Sequence, residues 1–146
     1  MIDFQRLKDI REDSDINQEQ MAKILGVPRS TYSMWELGIS IIPLKTLCNY
    51  ADYFNVSLDY ALGLTNTNNK TKLIKGLNTK VLANNIKAIR KKNNLSQENI
   101  ADLLKVTQSC IVKYEKDRVC ISTENLYEFC KEFKISLNDI CGKTKK

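Results

Sequence analysis

The sequence predicts an all-α protein made of two tandem five-helix domains joined by a polar linker. Three observations lead there. Apolar residues recur at spacings of three to four in short runs, and Ser, Thr, Asn, Pro and Gly stand where those runs begin and end. The third is an internal repeat at a constant offset.

Shifted by 79 positions, residues 7–65 lie on 86–144 without a gap. Identical pairs include Ile10/Ile89, Arg11/Arg90, Gln18/Gln97, Ala22/Ala101, Leu25/Leu104, Val27/Val106, Ser30/Ser109, Glu36/Glu115 and Leu58/Leu137. Others keep only their character, as in Met21/Ile100 and Trp35/Tyr114. Most are apolar, capping or turn positions, so the repeat preserves what a common fold requires. The expected boundaries are 1–64 for the first domain, 65–79 for the linker and 80–146 for the second. Each domain is near the lower size limit for a single core.

In the first copy a helix is expected over Asp3 to Asp13, with Leu7 and Ile10 inward. Asn17, with Gln20 three residues on, opens a second helix as a capping box does. Gly26-Val27 makes the turn, Gly26 supplying a backbone freedom that Lys105 of the other copy lacks. Pro28 is harmless at the next helix start, because its missing amide would be unpaired there. The third helix runs from Arg29 to about Leu37 and buries Tyr32 and Trp35. Pro43 begins a fourth, with Leu44, Leu47, Ala51 and Phe54 on one face, and Ser57 caps a short fifth.

Residues 65–79 are rich in Asn, Thr and Lys and hold no acid, which reads as a linker. Fifteen extended residues reach roughly 50 Å at about 3.3 Å each. That is long enough for the two domains to reach separate sites. The second copy predicts helices near Leu82 to Asn93, Gln97 to Lys105, Gln108 to Lys116, Thr123 to Phe133 and Leu137 to Cys141, with Ser96, Thr107, Ser122 and Ser136 as N-caps.

The stretch Ser96 to Glu115 has the layout of a helix-turn-helix. Ile100, Ala101, Leu104, Val106, Ile111 and Tyr114 fall on the faces the two helices turn to each other, and Ala101 is small enough for their closest approach. Gln97, Gln108, Ser109, Val112, Lys113 and Lys116 point outward. Such donors and cations suit a helix laid against phosphates and base edges.

Composition narrows the chemistry. A hydrophobic share of 42% suffices for packed cores, and neither a signal peptide nor an 18-residue apolar run is present in the sequence, so the expectation is a cytoplasmic protein with no membrane role. Cys48, Cys110, Cys120, Cys130 and Cys141 form no CxxC pair and the chain lacks histidine, so no metal, no cofactor and no disulfide framework is expected, and the thiols read as small apolar fillers. With no phosphate-cradling glycine loop and no cysteine beside a recognisable base, an enzyme is not expected.

Each copy resembles the DNA-binding domain of the lambda-repressor and Cro family, also called the xenobiotic-response-element type. The matching stretches are IR at 10–11, NQEQMAKILGV at 17–27, STYSMWE at 30–36 and NVSLDYALG at 55–63. In the second copy they are IR at 89–90, LSQENIADLLKV at 95–106, SCIVKYE at 109–115 and KISLNDICG at 134–142. The resemblance implies two tandem lambda-repressor-like helix-turn-helix domains and a transcriptional regulator, a repressor more than an activator, that binds double-stranded DNA.

It further implies that Gln18 and Gln97 contact phosphate and brace a base-reading neighbour, while the third helix enters the major groove. The implied readers are Arg29, Ser30, Ser33 and Met34 in the first copy, and Gln108, Ser109, Val112 and Lys113 in the second. Lys116 and Arg118 stand where family members place cations against the backbone. Arg11 with Glu36, and Arg90 with Glu115, resemble the family's pair linking the first helix to the end of the third.

The copies differ in charge. Residues 1–66 hold 6 basic and 9 acidic side chains, residues 67–80 hold 4 lysines, and residues 81–146 hold 13 basic and 8 acidic, so linker and second copy should dominate phosphate binding. Where the second copy has Lys116 and Arg118, the first continues into Ile39-Ser40-Ile41-Ile42. Two readings of that loop stand: Ile41 and Ile42 cover their own fourth helix, or Ile39, Ile41 and Tyr53 form a contact between copies or between chains. A rival from another class is a protein-binding module, an antitoxin-like partner reusing the same fold.

Overall fold

The computed structural model describes residues 2–68 and 70–145, without the side chain of Thr71; Met1, Asn69 and Lys146, which fall within the bounds given above, lie outside the described residues. Two compact units divide between Gly76 and Leu77. The first contains α1 (Gln5–Asp13), α2 (Gln18–Leu25), α3 (Arg29–Glu36), α4 (Leu44–Phe54) and α5 (Leu58–Ala61). The second contains α6 (Thr79–Lys92), α7 (Gln97–Leu104), α8 (Gln108–Glu115), α9 (Thr123–Phe133) and α10 (Leu137–Ile140).

Local chemistry sets most of these ends. The Asn17 side chain accepts from Gln20 N and the Gln20 side chain accepts from Asn17 N, each at 2.8 Å, a closed capping box. Ser96 and Asn99 build the same box at α7, which composition alone did not suggest. Thr107, Ser122 and Ser136 cap α8, α9 and α10 as expected, and Pro28 and Pro43 stand immediately before α3 and α4.

Left-handed residues fall in register between the units: Asp15/Asn94, Gly26/Lys105, Gly38/Asp117, Asn55/Lys134 and Gly63/Gly142 all have positive φ. Lys105 therefore takes the turn conformation that Gly26 takes without strain, so the freedom read from Gly26 is not a difference in path. At Gly63 a side chain is excluded outright, because a Cβ there would lie 2.5 Å from the Asp3 side chain.

Each unit closes on its own core. Leu7, Met21, Tyr32, Ile42, Leu47 and Leu58 are fully buried in the first; Ile86, Ile100, Ile111, Leu126, Phe129 and Leu137 fill the second. Ala22 and Ala101 are buried at the α2–α3 and α7–α8 crossings, where a larger side chain would separate the helices. Tyr50 Oη donates to Leu7 O at 2.6 Å and ties α4 to α1.

The stretch read as linker has local structure at both ends. Arg6 donates to Thr65 O at 3.0 Å and to Asn66 Oδ1 at 2.8 Å. Asn68 accepts from Ser57 N and donates to Asn55 O, each at 3.3 Å, and Gly76 N donates to Asp52 Oδ2 at 2.7 Å. Thr79 is already helical, capped by Asn78. Asn and Thr carry side-chain donors and acceptors of their own, so a stretch without hydrophobic period is still fastened locally.

Candidate nucleic-acid interface

The surface of α8 follows from its helical phase. Ile111, Tyr114 and Glu115 are buried, which turns Gln108, Ser109 and Lys113 outward, with Lys116 and Arg118 exposed just beyond the helix and Val112 half-buried. Thr107 Oγ1 accepts from Cys110 N at 3.2 Å, fixing where the helix starts and hence which residues lead it. In α3 the buried set is Tyr32, Trp35 and Glu36; Arg29, Ser30 and Met34 are exposed and Ser33 is half-buried. Each helix thus presents its first turn and one flank to solvent.

Behind these helices lie two matching polar networks. Arg11 Nε donates to Glu36 Oε2 at 2.7 Å and Arg11 Nη2 to Glu36 Oε1 at 3.0 Å; Arg90 makes the same bidentate pair with Glu115 at 2.6 and 3.0 Å. The third guanidinium nitrogen, Nη1, donates to Ile16 O at 2.8 Å in one unit and Leu95 O at 3.0 Å in the other. The side chains are shielded: 8% and 3% exposed for Arg11 and Glu36, 11% and 2% for Arg90 and Glu115. One arginine thereby joins the first helix, the following loop and the end of the third helix.

Electrostatics agree with the geometry. Burial pushes the Glu36 carboxyl up, but hydrogen bonding from Arg11, then the facing Tyr32 hydroxyl, then Gln18 outweighs it and holds the group below the ordinary carboxylate range. The Glu36 and Glu115 hydrogen bonds raise Arg11 and Arg90 respectively. Tyr32 Oη faces the Arg11–Glu36 pair, buried and without a hydrogen bond of regular geometry, and burial drives its phenol well above the usual range.

One contact was not anticipated in kind. Gln18 and Gln97 are half-buried, and each donates Nε2 to the buried carboxylate, Gln18 to Glu36 Oε1 at 3.0 Å and Gln97 to Glu115 Oε1 at 3.2 Å. The signal lay in the repeat, since Gln and Glu are identical at both positions in both copies.

The units diverge in register on the exposed flank. Met34, Leu37 and Ile39, 37%, 69% and 69% exposed, occupy the positions of Lys113, Lys116 and Arg118. Ile42 is fully buried in its own core and Ile41 is half-buried, so the intradomain reading holds for Ile42, whereas Ile39 and Tyr53 face solvent. The thiols also divide. Cys48, Cys130 and Cys141 are buried, but Cys110 is half-buried on α8 and Cys120 is exposed, so the filler reading fails for Cys120, which lies in the loop after α8 where the first unit has Ile41. Among the described residues no group of His, Cys, Asp or Glu could hold a metal ion, and no helix is long and apolar enough to cross a membrane.

The helix-turn-helix family model matches residues 7–60 and 86–140, most of both units. The chain belongs to the Cro/C1-type helix-turn-helix family. Among helix-turn-helix relatives it is 38% identical over 61 residues to the uncharacterized HTH-type transcriptional regulator YobD of Bacillus subtilis, covering 42% of this chain and 54% of that protein. It is 31% identical over 68 residues to the cryptic phage CTXphi transcriptional repressor RstR of Vibrio cholerae, covering 47% and 61%. It is 31% identical over 65 residues to antitoxin PezA of Streptococcus pneumoniae, covering 44% and 41%. The matched region spans about half the length of these helix-turn-helix relatives.

Proposed function

We propose that the protein is a sequence-specific double-stranded DNA-binding transcriptional regulator, a repressor acting in the cytoplasm without catalysis, in which the second unit reads DNA and the first serves assembly. The register exchange carries this reading: three exposed cations in the second unit stand where the first has three exposed apolar side chains. Cations beside an amide-bearing helix suit phosphate and base edges, because phosphate neutralisation supplies much of the affinity while glutamine can bond adenine bidentately. Repression needs only occupancy of a promoter, and the phage repressor among the relatives supports that choice.

Selection of duplexes from a random pool tests the reading, with Gln108→Ala and Arg29→Ala alongside. Gln108→Ala should relax one position of the selected site at a cost of about 1–3 kcal/mol, and Arg29→Ala should leave the preference unchanged. A preference that moves with Arg29 and ignores Gln108 would reverse the roles of the heads. The apolar flank of the first unit supports a homodimer joined through Ile39 and its neighbours. Sedimentation at micromolar concentration checks it: Leu37→Glu with Ile39→Glu should yield monomer, and a parent chain that is already monomeric would remove the dimer.

The antitoxin relative supports a second reading, in which the same fold masks another protein. Absence of duplex binding at low salt would favour it.

A further inference from the structure

We infer that the connector between the units is a strap of controlled reach: Asp52 latches its far end to the first unit through the Gly76 amide, and that latch sets the half-site spacing a dimer of this chain accepts. The inference rests on the regulator and homodimer readings above and adds to them how the spacing of the bound site is limited.

The strap is fastened to the first unit at three points. The Arg6 guanidinium lies 4.5 Å over the Tyr60 ring, donates Nη1 to Tyr60 O and to Thr65 O, each at 3.0 Å, and donates Nη2 to Asn66 Oδ1 at 2.8 Å. Asn68 then bonds Ser57 N and Asn55 O, in the turn between α4 and α5. Finally Gly76 N donates to Asp52 Oδ2 at 2.7 Å, a short bond to a carboxylate near the end of α4.

Two of these partners lie outside what the repeat preserves. At a shift of 79, Arg6 falls on Asn85 and Asp52 on Lys131, whose ammonium cannot accept a hydrogen bond. Caps, alanine crossings and buried ion pairs recur in both units, so Arg6 and Asp52 are not needed by the common fold. They belong to the strap.

The chain is held again at once on the second unit. Asn78 Oδ1 accepts from Val81 N at 3.1 Å, and Thr79 Oγ1 donates to Asp117 Oδ2 at 3.2 Å. Asp117 stands between Lys116 and Arg118, so this end of the strap is tied to the loop that carries two of the exposed cations. Gly76 and Thr79 are three residues apart, which limits their separation to about 10 Å. With Gly76 released, the last fastening is Asn68, eleven residues from Thr79, and the limit becomes roughly 36 Å. The latch thus shortens the tether several-fold. Tether length decides which pairs of sites two linked modules can occupy together. In a dimer joined through its first units, a short tether confines each reading helix, and only a narrow range of half-site spacings can be bound by both.

The test uses the half-site selected from the random pool, placed twice on one duplex at stepped spacings. The full parent chain should bind one spacing best and lose affinity within a few base pairs of it. Asp52→Ala should bind the neighbouring spacings as well as the best one. So should a chain with a Gly-Ser insertion of about six residues between Leu77 and Asn78, which adds roughly 20 Å of tether and touches neither unit. Melting followed by Trp35 fluorescence shows whether Asp52→Ala leaves the first unit folded, and the insertion gives the answer if it does not. Backbone 15N relaxation reads the latch directly: the Gly76 amide should have an order parameter of about 0.85 in the parent and below about 0.6 in Asp52→Ala. A mobile Gly76 amide in the parent, or the parent's spacing profile in the insertion variant or in folded Asp52→Ala, would overturn the strap while leaving the regulator reading intact. A parent chain that is monomeric, or that binds no duplex at low salt, would overturn the reading beneath it and the spacing role together.

Discussion

Replacing Glu115 with alanine should unfold or nearly unfold the second unit while leaving the first in place. The carboxylate is 2% exposed and receives three hydrogen bonds, two from Arg90 and one from Gln97. Its loss strands a guanidinium that is 11% exposed, with Leu95 O as its remaining acceptor in this network. Removing one partner of a buried pair costs about 3–5 kcal/mol, because the surviving charge stays out of water without compensation. A unit of this size has on the order of 3–10 kcal/mol in total, and each kcal/mol moves its midpoint by about 4–8 °C. A shift of at least about 12 °C follows. The chain's single tryptophan, Trp35, is buried in the first unit, so its fluorescence follows that unit whereas far-UV circular dichroism follows both. The dichroism transition should fall and the fluorescence transition should stay. Arg90→Met with Glu115→Leu should restore most of the loss, since a matched apolar pair needs no desolvation of charge. A Glu115→Ala shift below about 4 °C would mean the pair is solvated and the reasoning wrong.

The Glu36 carboxyl, held below its unfolded value, contributes stability that is present above about pH 4.3 and is lost as pH falls through the lower folded value. Acid titration followed by Trp35 fluorescence should show this loss, and Glu36→Gln should flatten it. Tyr32→Phe removes a buried hydroxyl without a regular partner and should be neutral or stabilising by up to ~1 kcal/mol; a clear destabilisation would show that the hydroxyl bonds Glu36. Lys134 is exposed with φ +55°, so Lys134→Gly should relieve left-handed strain and stabilise the second unit by about 0.5–1 kcal/mol in a urea titration.

Most of the fold was legible because it depends on short-range signals. Ser96, Thr107, Ser122 and Ser136 cap the helices they were expected to cap, since an N-cap needs only one oxygen and the orphan amides just beyond it. The start of α6 at Thr79, three residues before Leu82 where the helix was expected, was not legible, because its cap is Asn78 inside a stretch already crowded with Asn and Thr. The pairing of Arg11 with Glu36 came from resemblance. Its extension to Gln18 required coordinates, because the repeat marks the glutamine as kept in both copies but does not say whether its amide meets water or a carboxylate from another helix. Exposure of Cys120 was hidden for a similar reason, its place being set by a loop path and not by helical period.

Where the two units differ says more about function than where they agree. Left-handed turns, alanine crossings and buried ion pairs occur in both, so neither copy has departed from the scaffold. The exchange of Met34, Leu37 and Ile39 for Lys113, Lys116 and Arg118 falls on side chains exposed in both, where substitutions typically change stability by less than about 0.5 kcal/mol. Phosphate binding responds far more strongly, at roughly 0.9 in salt slope per contact, or about 2.7 for three. Raising salt from 50 to 200 mM would then weaken that contribution about 40-fold. Grafting Lys113→Met, Lys116→Leu and Arg118→Ile onto the second unit should therefore flatten the salt dependence of duplex binding by about 2.7 while the melting curve barely moves. A variant that melts normally and keeps the parent's slope would mean these cations face no phosphate, and the division of labour between the units would have to rest on some other surface.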